Sequence, residues 1–274
     1  MRPVAAAPGP LARPGYRSPM PTSHRARRAF DVLARRQPDL TVIAEDVYKP
    51  HNLSAMLRSC DAVGIGTVHA VRPTGGLATY NATSASAEKW VDLVVHRTVP
   101  EAIEAVRAQG MQVLAATFSE RAVDHRDVDY RRPTAILFGN ERDGVGPEAA
   151  EAADGHVIIP MLGMVRSLNV SVATAVILFE AQRQRRDAGR YDAPALDART
   201  RNDLAYRWLH PADAARRAAQ GRPMPWLDED GWPLPPDDLP TDAPQADAPQ
   251  ADRAPSPPPN AGIGSGPTGD RGGR

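Results

Sequence analysis

Between Leu40 and Pro160 the chain repeats one unit: five to seven mostly apolar, often β-branched residues, then a polar or helix-patterned stretch. The runs are LTVIAE (40–45), TVHAV (67–71), VDLVV (91–95), MQVLAAT (111–117), TAILFG (134–139) and HVIIP (156–160). Helical spacing fills several gaps: LSAMLRSCDAV (53–63), stopping at Gly64, PEAIEAVRAQ (100–109), and a long closing segment from Leu168 to Arg186. Continuous apolar runs of this length, rather than strict apolar–polar alternation, mark strands covered on both faces. The pattern therefore predicts an α/β protein, a parallel sheet with helices on both faces. In such sheets ligands sit beyond the carboxyl ends of the strands, which directs attention to the loops after Glu45, Thr117, Gly139 and Pro160.

The flanks read differently. Residues 1–22 and 235–274 are rich in proline and poor in large apolar side chains, so they are expected to be disordered tails. SHRARRAFDVLARRQ (23–37) places Phe30, Leu33 and Ala34 on one helical face among arginines and predicts a basic helical arm. A core domain over 38–187 and a basic helical extension over 188–234 complete the division.

The formal charge is zero, but it is segregated. Residues 1–36 hold eight arginines against one acid, and 181–222 hold ten against five, whereas 37–180 and 223–274 are net acidic. Basic arms around an acidic centre point to a polyanion, and arginine suits RNA because its planar fork grips phosphate and stacks on bases. Arg28 and His51, with Arg183 and Arg185 in the second arm, are the candidate RNA contacts. Only Lys49 and Lys89 among the 33 bases are lysine, so an arginine-rich coding bias would decorate ordinary solvated helices in the same way. The one cysteine, Cys60, rules out an intrachain disulfide framework and suits a cytoplasmic protein. No run approaches the roughly 18 apolar residues of a membrane span.

The chain lacks GxGxxG after the first strand, GxxxxGK[ST], GxSxG and HExxH, and its seven histidines are scattered, so no metal site is expected. What remains are polar residues at strand ends. In KPHNLSAMLRSCDAVGIG (49–66), Asn52 is placed to cap a helix whose buried stripe is Leu53, Met56, Leu57 and Cys60, which leaves Arg58 on the turn nearest the strand's carboxyl end. In LFGNERDGVG (137–146), three glycines signal sharp turns or close approach to a ligand, with Glu141 on the loop. In IPMLGMVRSLNVSVATAVILFEAQRQRR (159–186), Ser167, Asn169 and Ser171 begin a helix, preceded by the apolar Met161, Leu162, Met164 and Val165. An apolar loop with a few polar groups is how small-ligand pockets are lined.

Together, NLSAMLRSCDAVG, LFGNERDGVG and IPMLGMVRSLNVSVATAVILFE resemble, in order and spacing, the three signature motifs of the SpoU, or TrmH, family of S-adenosylmethionine-dependent RNA 2′-O-methyltransferases. The resemblance covers residues 23 to about 232. EDVYKPHNLSA and the terminal LDEDGWP are similar to the subgroup acting on guanosine 18 of tRNA. The shared motifs leave open an rRNA, another tRNA position or a catalytically silent RNA-binding homologue.

The resemblance implies a deep C-terminal trefoil knot, of the SPOUT type, holding S-adenosylmethionine, and a homodimer with its site at the interface. It carries catalytic roles onto Asn52, Arg58, Glu141, Ser167 and Asn169, and cofactor contacts onto Thr117, Gly139, Ile159, Met161 and Leu168. Arg166 departs from the family pattern, where glutamine is expected. The family view makes Arg58 the proton acceptor, although a guanidinium stays protonated up to pH values above about 12. Either a phosphate and a dry pocket shift that balance, or Arg58 orients the hydroxyl while another group takes the proton.

Overall fold

The computed structural model describes residues 22–47, 49–71 and 89–235. The tails expected at 1–22 and 235–274 lie outside these residues, apart from Thr22 and Pro235. Seven strands form one sheet: β1 (Leu40–Glu45), β2 (Thr67–Val71), β3 (Asp92–His96), β4 (Gln112–Ala116), β5 (Ala122–Asp124), β6 (Thr134–Phe138) and β7 (Gly155–Ile158). Their order is β3-β2-β1-β6-β4-β7-β5, and every pairing is parallel. The helices are α1 (Ser23–Leu33), α2 (Pro50–Ala62), α3 (Val99–Arg107), α4 (Pro147–Ala152), α5 (Val170–Asp187), α6 (Ala198–Leu209) and α7 (Pro211–Ala219).

The central strands β1 and β6 are buried almost throughout, which is why their sequences are unbroken apolar runs. Residues alternate between two layers. Leu40, Val42, Ala44, Ile136 and Phe138 belong to one core cluster with Leu53, Met56, Leu57 and Cys60 of α2 and Ile177, Leu178 and Ala181 of α5. Ile43, Val113, Ala115, Ala135 and Leu137 belong to the other with Ala102, Ile103 and Val106 of α3 and Ala149 of α4. Each large aliphatic side chain so buried contributes about 1.5–3 kcal/mol. The expected α/β sheet with helices on both faces is thus observed.

Several expectations change in detail. β5 falls in the polar stretch SERAVDHRDVD and has no apolar run to announce it; it is a three-residue edge strand held only by β7. Asn52 does not cap α2. Lys49 is the cap residue, Pro50 opens the first turn, and Asn52 is inside the helix and buried. The buried stripe of α1 is Ala26, Ala29 and Leu33, with Phe30 at its border. It packs on Leu209 and Trp208 of α6, and the Arg25 guanidinium donates to the Trp208 carbonyl at 3.2 Å. The two basic segments, far apart in sequence, therefore adjoin.

Candidate active site

The carboxyl ends of β4, β6 and β7 open into a cleft of about 850 Å³. Its walls are three loops: 116–118 after β4, 138–144 after β6, and 157–168 leading from β7 towards α5. Thr117, Gly139, Ile159, Met161 and Leu168, spread over 52 residues of sequence, all line it, as do Glu141 and Ser167. Its volume lies within the range of about 300–1,000 Å³ typical of small-molecule sites.

The β6–α4 loop closes on itself through paired backbone bonds between Asn140 and Gly144, both 3.1 Å. The Asn140 carboxamide oxygen accepts from the amides of Arg142 (2.9 Å) and Asp143 (2.7 Å), which completes the turn. A Cβ at Gly139 would overlap the Gly144 carbonyl and the Val145 amide, so only glycine fits. Gly144 itself has φ +72°. From the end of β1, Glu45 accepts the Gly146 amide at 2.9 Å and anchors the far end of the loop. Burial raises the Glu45 carboxyl above its ordinary value, against the opposing Gly146 hydrogen bond.

Asn52 joins the three motifs. Its amide nitrogen donates to the Glu141 carboxylate, and its oxygen accepts from the Asn169 amide at 3.2 Å. Asn169 is the cap of α5, its oxygen accepting from the Ser171 amide (2.9 Å) and hydroxyl (2.6 Å). One buried carboxamide thus fixes α2, the Glu141 loop and the start of α5 together. Arg58 and His51 are exposed on α2, outside the cleft wall, and the Arg58 guanidinium has no hydrogen-bond partner among the described residues.

The candidate RNA contacts separate. Arg28 is exposed. Arg183 is exposed but paired with Glu180 (2.8 Å) and Asp187 (2.9 Å). Arg185 is corrected: it is fully buried, with Nε donating to the Tyr130 carbonyl (2.9 Å), and it pairs with Asp39 at 2.5 Å. Its remaining hydrogen bonds go to Gln37 and to the Asp39 and Arg132 carbonyls, so no donor is left for phosphate. Arg36 is likewise buried, donating to the Ile65 and Trp90 carbonyls (both 2.7 Å) and to Asp61 (2.8 Å).

The model of the SpoU rRNA Methylase family matches residues 39–179, and that of the SpoU rRNA methylase C-terminal region matches 183–232. The chain belongs to the SpoU methylase family. A tRNA (guanosine(18)-2′-O)-methyltransferase of Thermus thermophilus is 57% identical over 188 residues, 69% of this chain and 97% of that protein. The Escherichia coli protein of the same name is 46% identical over 209 residues, 76% of this chain and 91% of the other. The solved TrmH/SpoU tRNA modifying enzyme of A. aeolicus superposes with a TM-score of 0.64 at 39% identity, covering 69% of this chain and 96% of that one.

Within the SpoU fold, sequence reasoning missed three residues around the site. Glu45 was legible as an acid ending a buried strand at the sheet's carboxyl edge. Asn140, directly after a glycine and before a charged run, is the residue type that builds such turns. Phe118, 89% exposed on the cleft wall, had no signal beyond its place after a strand. No helix among the described residues is long and apolar enough to cross a membrane.

Proposed function

We propose that this chain is an S-adenosylmethionine-dependent tRNA ribose 2′-O-methyltransferase acting on guanosine 18. The observation that carries the reading is that the second and third motifs line one cleft and that Asn52 of the first is hydrogen-bonded to a residue of each, Glu141 and Asn169. The relatives that support it bear that activity in their names and match over most of both chains.

The cleft suits the cofactor. Ile159, Met161 and Leu168 offer apolar surface to an adenosine, Gly139 lets the cleft loop close on Gly144 and Val145, and Thr117 supplies a polar group. When bound, S-adenosylmethionine supplies a methyl group already activated on a sulfonium. The protein's task is then alignment and removal of one proton. Asn52 holds the Glu141 carboxylate in place, so Glu141 acts as a positioning group on the cleft wall. Ser167, exposed within the cleft, orients the ribose, and Asn169 keeps the start of α5 in register with Asn52. Arg58 keeps all its donors but stands outside this cleft wall, so in this reading it belongs to the site at the proposed dimer interface, where its fork would hold the reacting hydroxyl and its neighbouring phosphate.

The trefoil knot belongs to this reading. Its support is that α5, which follows β7, packs on α2, which follows β1 on the far side of β6 and β4. So does a homodimer with its site at the interface, supported by Val172 and Phe179 exposed on α5 and by the exposed apolar Leu162, Met164 and Val165 on the loop beside the cleft. The core at 38–187 would carry the chemistry, with the segments at 23–37 and 188–234 holding tRNA in the cytoplasm.

The deciding experiment incubates purified protein with methyl-labelled S-adenosylmethionine and an unmodified tRNA transcript, then maps the product. A 2′-O-methyl group at guanosine 18, lost when that position is 2′-deoxy, is the expected result. Labelling at another nucleotide, or of rRNA alone, would overturn the assignment.

A further inference from the structure

Two guanidinium groups stand on the wall of the cleft, Arg142 in the β6–α4 loop and Arg166 in the β7–α5 loop, both exposed. Several arginines elsewhere in the chain are committed to a carboxylate: Arg36 to Asp61, Arg107 to Asp154, Arg131 to Asp129, Arg190 to Asp39. These two are not. Arg142 reaches only its neighbour Asp143, at 3.8 Å, too long for a hydrogen bond. Arg166 has no hydrogen bond or ion pair with any described residue. Two carboxylates line the same cleft, Glu141, which is held by Asn52, and the exposed Asp143 beside Arg142. Both guanidinium groups therefore keep their planar donor forks available to an incoming anion.

The nature of that anion follows from the charges of the two reactants. The proposed cofactor is cationic at its reacting sulfur, so a guanidinium on the cleft wall is not a device for attracting that part of it. The other reactant is a ribose flanked by phosphodiesters, and Arg166 immediately precedes Ser167 in the cleft, one Cα step of about 3.8 Å away. A long arginine side chain beside a ribose-orienting serine is suited to reach an adjoining phosphate, and its bidentate fork matches phosphate oxygens. The need for such a grip is sharper because the arms hold fewer available guanidinium groups than their charge suggests, with Arg36 and Arg185 buried and Arg183 paired.

We propose that Arg166, with Arg142 as a second donor from the facing loop, binds the phosphodiester backbone of the RNA next to the reacting ribose. The inference rests on the methyltransferase reading and adds a substrate-binding pair at the mouth of its site.

The test uses the full chain with the substitutions Arg166→Gln, Arg142→Gln and the double change. Glutamine keeps length and polarity and, at 166, restores the residue expected from the family pattern. The readouts are KM and kcat for tRNA transcript, the salt dependence of tRNA binding, and S-adenosylhomocysteine affinity by calorimetry. Arg166→Gln should raise KM for tRNA about five- to tenfold, as for loss of one charge-assisted hydrogen bond. It should flatten the log–log salt slope by about 0.7–0.9, the value for one phosphate contact, and the double variant by about twice that. S-adenosylhomocysteine affinity should stay within about twofold of the parent. Arg131→Gln, which removes a guanidinium already bound to Asp129, should leave the slope unchanged.

An unchanged KM and slope in Arg166→Gln, in a parent that methylates tRNA, would overturn this contact alone. Weakened S-adenosylhomocysteine binding with an unchanged tRNA slope would also overturn it, assigning the guanidinium to the cofactor's carboxylate. A parent that transfers no methyl group to tRNA would instead overturn the proposed activity.

Discussion

Replacing Arg185 by alanine should damage the fold rather than RNA binding. The side chain is fully buried and gives Nε to the Tyr130 carbonyl at 2.9 Å, Nη1 to Gln37 (3.2 Å) and Asp39 (2.5 Å), and Nη2 to the Asp39 (3.1 Å) and Arg132 (3.0 Å) carbonyls. Truncation leaves these acceptors without that donor and opens a cavity the size of a guanidinium and its stem. Breaking a buried ion pair from one side costs about 3–5 kcal/mol. Asp39 retains Arg190 at 3.2 Å, which offsets part of the loss, and each orphaned carbonyl adds about 1–3 kcal/mol unless water reaches it. With water reaching the three carbonyls only the ion-pair loss remains, about 4 kcal/mol. At about 2–4 °C per kcal/mol for a chain of this size, Tm should fall by roughly 8–16 °C. Arg185→Lys keeps the charge but not the five-donor fork and should fall between. The assay is thermal and urea unfolding beside tRNA binding at a temperature where both proteins are folded. A variant with Tm within about 2 °C of the parent and a flattened tRNA salt slope would refute the structural role and return Arg185 to the RNA surface.

Other outcomes follow from single features. Gly139→Ala should weaken S-adenosylhomocysteine binding more than about tenfold by calorimetry, because a Cβ there overlaps the Gly144 carbonyl and forces the cleft loop open. Arg58→Lys should lose nearly all turnover in a methyl-transfer assay while keeping cofactor affinity, since Arg58 lies outside the cleft wall and lysine lacks the fork. His69 is held to about 4 from an ordinary 6.5 by burial and by His96, whose Nε2 lies 2.8 Å from its Nδ1. The unfolded chain therefore takes this proton first, and stability present above pH 6.5 is lost as pH falls towards 4. His69→Gln should flatten that limb of a pH–stability curve by on the order of 2 kcal/mol. Arg27→Gln with Arg28→Gln, both exposed on α1, should raise KM for tRNA and flatten its salt slope with cofactor affinity unchanged.

The apolar runs of β1 and β6 determined the sheet, because a strand buried on both faces has no room for polar side chains in its middle. The motif loops were legible for a related reason: a carboxyl-end loop that turns tightly over a ligand needs glycine, as Gly139 and Gly144 do, and those residues stand out in a sequence. Local pattern was misleading where a side chain's partner is remote. Asn52 has the sequence position of a cap, yet it bonds Glu141 and Asn169, 89 and 117 residues away. Arg185 sits in a basic run that reads as a solvated arm, while its α5 face, continued from Thr174, Leu178 and Ala181, turns it into a ring of acceptors from residues 37–39 and 130–132. The edge strand β5 had no signal because three residues held only by β7 need no apolar run. Sequence thus set what each segment must bury or turn. Tertiary structure decided which charges were already spent inside the protein, because a charge is neutralised by whatever the fold brings next to it.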